Sequence, residues 1–260
     1  MGVIICLKTG EVICVMEKIN KLMLIIPIII LCLFPNILIS EEEDNFSDCP
    51  KYIGDLNKRG NVRNVTEAFD LLLNQEDDNK DFIVSTSFLK EQNKPSDFYA
   101  PWKANDNDKN TAWVEGKKGD GITERLFYEI VKVDRIYFNN LKIKIDIING
   151  FAQSKELFFL NSRLKNIKLT LFSANFDICG GYYSKRINNL LKIKSQNFEL
   201  KDSLNLQEIK FELNKDDIYK IKKEGPVFII LEVEILSVYK GNKYDDTCIS
   251  EFNIKDIIEE

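Results

Sequence analysis

From residue 81 onward, apolar and polar positions alternate with the period of a strand. Leu141, Ile143, Ile145 and Ile147 are separated by Lys142, Lys144 and Asp146. Ile167, Leu169 and Leu171 follow the same rhythm, and so do Ile209, Phe211 and Leu213. Successive side chains of a strand point to opposite faces, so this pattern predicts strands with one buried face. Val227 to Val238 is more continuously apolar, with Glu232 and Glu234 at alternate places. Turn residues separate these runs at Asn149-Gly150, Gly180-Gly181, Glu224-Gly225-Pro226 and Lys240-Gly241-Asn242. Short strands punctuated in this way predict an all-β sandwich. One element breaks the rhythm. Val65, Ala68, Phe69, Leu72 and Leu73 fall at helical spacing and predict a short amphipathic helix, capped by Asn64 or Thr66. Its apolar stripe requires a cover, either its own domain or a partner.

The first forty residues carry a different signal. Lys18 and Lys21 precede an apolar run, Leu22 to Phe34, interrupted only by Pro27, and Ser40 and the acidic Glu41, Glu42, Glu43 and Asp44 follow. Basic segment, apolar core, small residue and polar start are the layout of a secretory signal. The run is short against the roughly 20 apolar residues of a membrane span. Residues before Met16 read as an extension from an upstream start, since Met16 to Lys21 already forms a compact basic segment. Cys32 raises lipidation, but Leu31 occupies the place where a small residue is wanted. The expected organisation is a signal peptide over 1–40, a linker and short helix over 41–80, and one sandwich over 81–258, large enough for a single core. The expected location is exported: periplasmic, cell-surface or secreted. No stable membrane span is expected in the mature chain.

Composition narrows the chemistry. A net charge of −5, with both signs interspersed, gives no attraction to nucleic acid. The chain has no histidine. Ser-His-Asp and Cys-His machinery is therefore impossible, and catalytic zinc loses its main ligand. Beyond the signal three cysteines remain, Cys49, Cys179 and Cys248, which cannot all pair within one chain and show no metal-binding spacing. Paired carboxylates of the glycosidase kind remain open.

The long segment from Lys90 to Gly121 fits no strand, and a loop of this length is functional or disordered. Its aromatics Phe98, Tyr99, Trp102 and Trp113 argue for order. Asp106, Asp108, Asn110 and Thr111 concentrate oxygen donors over a few residues, suited either to a hard cation such as calcium or to a polar turn.

Ala104-Asn-Asp-Asn-Asp-Lys-Asn-Thr-Ala-Trp113 resembles the A-x-D-x-x-x-x-T-x-W signature of discoidin, or F5/8 type C, domains. Asn149-Gly-Phe151, Asn161-Ser-Arg163 and the stretch Tyr239 to Glu251 follow in order. Together they resemble the branch attached to streptococcal-type NAD glycohydrolases as a translocation domain, over roughly residues 81 to 256. The resemblance implies a galactose-binding-like jelly-roll β-sandwich, preceded here by the helical lead-in. It implies Trp113 in the core. It also implies a structural Ca2+ held by the Asn105 and Asn110 carbonyls, Asp108, Thr111 and Glu251. In those glycohydrolases catalysis belongs to a separate C-terminal domain, and the chain ends at Glu260, so the expectation is a non-enzymatic module.

A sugar needs an aromatic face for its ring and polar groups for its hydroxyls. Tyr99, Trp102, Glu115, Lys117, Asp120, Tyr239, Lys243 and Tyr244 lie in segments that a sandwich brings toward one end. Arg163 and Asp246 join them as candidates, although Arg163 forked onto Asp246 or Glu251 would equally be a structural ion pair. The expected partner is a cell-surface or extracellular glycan. A protein partner, bound through the same loops, is the alternative.

Overall fold

The computed structural model describes residues 62–73, 83–133, 140–179, 184–221 and 227–259. The signal segment, Cys32 and Cys49 lie outside them, and the side chain of Cys179 is likewise not described. Among the described residues no helix is long and apolar enough to cross a membrane.

The elements in chain order are α1 (Val65–Leu73), β1 (Ile83–Ser85), a 3-10 turn (Pro101–Ala104), β2 (Trp113–Val114), β3 (Arg125–Val133) and β4 (Leu141–Asn149). α2 (Lys155–Leu160), β5 (Ser162–Cys179), β6 (Ser184–Glu199), β7 (Gln207–Leu213), α3 (Lys215–Lys220), β8 (Val227–Tyr239) and β9 (Thr247–Glu259) complete them. Two antiparallel layers result. One runs β1-β3-β8-β5-β6 and the other β7-β4-β9, with β2 on β9. A two-residue parallel contact, Ser162–Arg163 of β5 with Thr247–Cys248 of β9, joins them into one hydrogen-bonded sheet.

The alternation read from the sequence is the burial pattern. In β4 every odd position is buried and every even one only partly so. Leu141, Ile143, Ile145 and Ile147 meet Leu126 and Tyr128 of β3, Leu169 and Leu171 of β5, and Ile229, Leu231 and Val233 of β8 in one core. β8 is apolar on both faces for a separate reason. Its alternate residues Phe228 and Ile230 face outward into a second cluster with Phe127, Ala174 and Phe176, beneath α1.

α1 therefore packs on its own domain. Ala68, Phe69, Leu72 and Leu73 are buried, and the Phe69 ring meets Phe228 edge to face at 5.4 Å. Asn64 is the cap, its Oδ1 accepting the Glu67 amide at 3.0 Å.

Candidate functional site

Two places in the fold gather polar groups that the core does not explain. The first is where the acidic loop meets β9. The Asp106 carboxylate accepts the Thr111 hydroxyl at 2.8 Å and the Asp108 amide at 3.1 Å. These bonds fold residues 106–111 into a tight turn whose tip lies on β9: the Ser250 hydroxyl donates to the Lys109 carbonyl at 3.2 Å, and the Asn253 amide to the Asn107 Oδ1 at 3.4 Å. Under the turn, Glu251 is 2 % exposed. Both its carboxylate oxygens, and the Asn253 Oδ1, are buried with no hydrogen-bond partner. Burial raises the Glu251 pKa and the negative Asp106 raises it further, opposed by the Asn253 amide, the Asn107 backbone and the Lys255 charge.

A buried carboxylate beside a second carboxylate is costly, and the offsetting charges here are Lys103, paired with Asp106 at 3.3 Å, and Lys255. The oxygens of Glu251, Asn253 and Asp106, with carbonyls of the loop, are the hard donors that suit calcium. Among the described residues no three His, Cys, Asp or Glu side chains converge on one point, so a cation there would depend on amide and carbonyl oxygens to complete its shell. Both carboxylates of the loop are already engaged, Asp106 also taking the Lys103 ammonium at 3.3 Å. The Asp108 carboxylate is occupied by the Asn110 amides at 3.0 and 2.7 Å, and the carboxylate whose charge reaches Glu251 is Asp106. Asn253 was not anticipated, because its role depends on where β9 passes beneath the loop.

The second place is the aromatic end of the sandwich. The loop after β8 is fastened to α2: Asn242 N–H donates to the Phe159 carbonyl at 2.9 Å, and Lys243 and Tyr244 N–H to the Leu160 carbonyl at 3.1 and 2.8 Å. Tyr99 packs edge to face on Phe98 at 4.8 Å and on Phe151 at 6.5 Å. Phe98, Phe159 and Tyr244 remain 37–40 % exposed, so this end keeps large rings at the surface that the core does not use. Lys94 lies over the Phe98 ring and Lys243 over the Tyr244 ring. Carboxylates border the rings. Burial raises the Asp246 pKa, and the charges that reach it, Asp245 and Glu91, are both negative. Burial likewise raises the Tyr99 phenol, with Glu91, Asp246 and Tyr244 among the groups that reach it. Phe98, Phe159 and Glu91 were missed in the sequence because nothing local distinguishes an exposed aromatic from a core one.

The remaining candidates divide by burial. Lys117 is exposed, its ammonium held by the Ile122 carbonyl and the Thr123 hydroxyl, each at 3.2 Å. Asp120 pairs with Lys240 at 3.2 Å. The Tyr239 hydroxyl donates to the Leu200 carbonyl at 3.0 Å. Trp102 is half-buried on the 3-10 turn, and Trp113 is fully buried, its indole N–H donating to the Ser87 carbonyl at 3.0 Å.

Two of the expected ligand contacts lie in the interior. Glu115 is fully buried, and Arg163 is 4 % exposed with its donors engaged: Asp202 takes two at 3.0 and 2.8 Å, and the Asn161 and Lys240 carbonyls take two more. The fork of Arg163 closes on Asp202 rather than on Asp246 or Glu251. Cys248 is a free, buried thiol.

A family model described as the NAD glycohydrolase translocation F5/8 type C domain matches residues 75–255. The chain belongs to this family. The match takes in both polar places just described, β1 to β8 and β9 as far as Lys255, and begins after α1. The translocation F5/8 domain thus accounts for most of the described residues, and α1 packs on its outer face. No curated protein matches the chain significantly. Among solved structures, the C-terminal domain of a chitobiase from Bacteroides fragilis aligns at 13% identity and a TM-score of 0.34, covering 68% of this chain and 95% of that one. A carbohydrate-binding module specific for non-crystalline cellulose, CBM28, aligns at 11% identity and 0.30, covering 56% and 74%. CBM4 aligns at 9% and 0.28, covering 60% and 90%. Likenesses this distant bear on neither the ligand nor the site.

Proposed function

We propose that this chain is an exported, non-enzymatic binding protein that holds carbohydrate against the aromatic end of its sandwich. The observation that carries the reading is the set of exposed rings, Phe98, Phe159 and Tyr244, bordered by Glu91, Asp245 and Asp246. A ring stacks on the apolar face of a pyranose, and carboxylates accept its hydroxyls; strong charge-assisted bonds then fix orientation. Glycan arrays followed by calorimetry test it. Binding of one glycan class, weakened at least about tenfold in Tyr244→Ala, which corresponds to about 1.4 kcal/mol, is the expected result. A flat array would overturn it.

In that case the family's translocation character favours the second reading, a protein partner bound through the same loops. Pull-down with the isolated glycan-inactive chain, compared with its Tyr244→Ala variant, separates the two.

Calcium is part of the proposal. Glu251, Asp106, Asn253 and carbonyls of the 105–111 loop would hold it, tying the loop to β9. A melt with calcium and then with a chelator reads this out. Saturating calcium at about 100 times Kd would stabilise the fold by about 2.7 kcal/mol. Glu251→Gln is expected to abolish that gain while stabilising the metal-free chain, because it removes a buried charge that lies beside a second carboxylate. Equal calcium responses in both chains would rule out this site.

A further inference from the structure

Ser250 stands between the two polar places. It is fully buried in β9, next to Glu251. A serine hydroxyl has one proton to give and lone pairs to accept with, and this one uses them toward different parts of the chain. It donates to the Lys109 carbonyl at 3.2 Å, at the tip of the acidic turn, and accepts the Ala152 N–H at 2.9 Å. Lys109 is 141 residues from Ser250 and Ala152 is 98, so both contacts are tertiary. The Ser250 N–H also donates to the Gly150 carbonyl at 2.9 Å, which fixes residues 150–152 on β9 a second time.

Residues 150–152 belong to the aromatic end. Phe151 packs with Ala112, Val114 and Cys248 in a small cluster and meets the Tyr99 ring edge to face. Tyr99 meets the exposed Phe98 in the same way. Contacts therefore run without a break from the acidic turn, through the Ser250 hydroxyl, to the rings.

The two halves of this joint differ. The Ala152 bond has an ordinary length. The Lys109 bond, at 3.2 Å, is long for an O–H···O contact, which favours about 2.7–2.8 Å. Asn253, the other β9 side chain that reaches the turn, is 3.4 Å from Asn107. The turn thus rests loosely on β9, while the aromatic end is firmly fastened to it. Repulsion between Asp106 and Glu251 opposes closer approach, and a cation shared between them would reverse that force.

We propose that Ser250 is a positioning residue that couples the two polar places: closure of the acidic turn on β9 is passed through its hydroxyl to Phe151 and Tyr99, so that the cation regulates how firmly the ligand-binding rings are held. The proposal rests on the calcium reading of Glu251 and Asp106 and on the rings as the ligand site. Coupling of this kind is reciprocal, so a ligand on the rings would also tighten the hold on the cation.

Nuclear magnetic resonance of the full chain, compared in calcium and in chelator, tests the joint without any glycan. The readouts are the amides of residues 106–110, which report the turn, and the Phe151 ring, which is remote from the turn in sequence. In the wild-type chain calcium is expected to shift both. In Ser250→Ala the turn is expected to respond still, and the Phe151 response to be lost. Ser250→Cys, nearly isosteric but with a weak donor and acceptor, is expected to behave alike and keeps the test decisive if the alanine variant folds poorly. A turn that ignores calcium would take down the calcium reading and the coupling with it. A turn that responds while the wild-type Phe151 ring does not, or a Phe151 response equal in wild type and both variants, would overturn the coupling alone. A glycan identified on the array is expected to bind at least about fivefold more tightly with calcium than with chelator, the lower end of ordinary coupling between sites; equal affinities would overturn the regulation of the rings.

Discussion

Replacing Arg163 with methionine is expected to destabilise the chain by about 3–5 kcal/mol, the range for breaking one side of a buried ion pair. Arg163 is 4 % exposed, and its guanidinium joins three segments that are far apart in the chain. It holds Asp202 after β6 with two bonds, the Asn161 carbonyl after α2, and the Lys240 carbonyl after β8. Its plane lies against Phe158 and Phe159 at 5.0 and 5.5 Å. Gly150 leaves room for it. At φ +69° this glycine is in the left-handed region, and a Cβ would meet the Arg163 Cγ at 2.5 Å. Methionine keeps much of the apolar volume, so most of the loss comes from the orphaned carbonyls and the carboxylate left behind. Asp202 is partly exposed and regains some hydration, which places the effect toward the lower part of the range. Urea unfolding measures it, and adding Asp202→Asn is expected to recover part of the loss. A change of less than about 1 kcal/mol would show that the packing around Phe158, not the guanidinium, joins these segments.

Phe69→Ala is expected to cost about 3–5 kcal/mol, the range for truncating a buried aromatic. Phe69 is fully buried between α1 and the outer face of the sheet. The ring contacts Phe228 edge to face, within a cluster that includes Phe127, Phe176 and Ile230. A nine-residue helix has little stability of its own, so α1 persists because of this contact. The loss is expected to appear both in the urea midpoint and as fast amide exchange across residues 65–73. Thr66→Ala, on the exposed side of the same helix, is expected to change stability by no more than about 0.5 kcal/mol. Equal effects from both substitutions would mean that burial on the sheet does not hold the helix.

Much of this architecture is legible in the chain. A strand displays alternate residues to one face, so Leu141, Ile143, Ile145 and Ile147 announce both the element and its buried side. The helix of Val65 to Leu73 is equally plain, because its apolar residues recur at 3.6-residue spacing. The run Val227 to Val238 reads as a strand with one buried face, yet its first half is buried on both. Only the position of α1 over Phe228 and Ile230 explains it.

The two polar places divide along the same line. The sequence by itself determined the family signature, because that is a matter of residue type in order, and the resemblance it carries implied a buried Trp113 and an acidic loop set against Glu251. Tertiary structure decided which carboxylate faces Glu251, that Arg163 and Glu115 are interior, and that Phe98, Phe159 and Tyr244 share one end. The physical reason is that burial and charge environment depend on neighbours distant in the chain. Asp202 is 39 residues from Arg163, and Thr247 is 132 residues from Glu115. No local pattern encodes those separations; they arise only when the layers close on their common core.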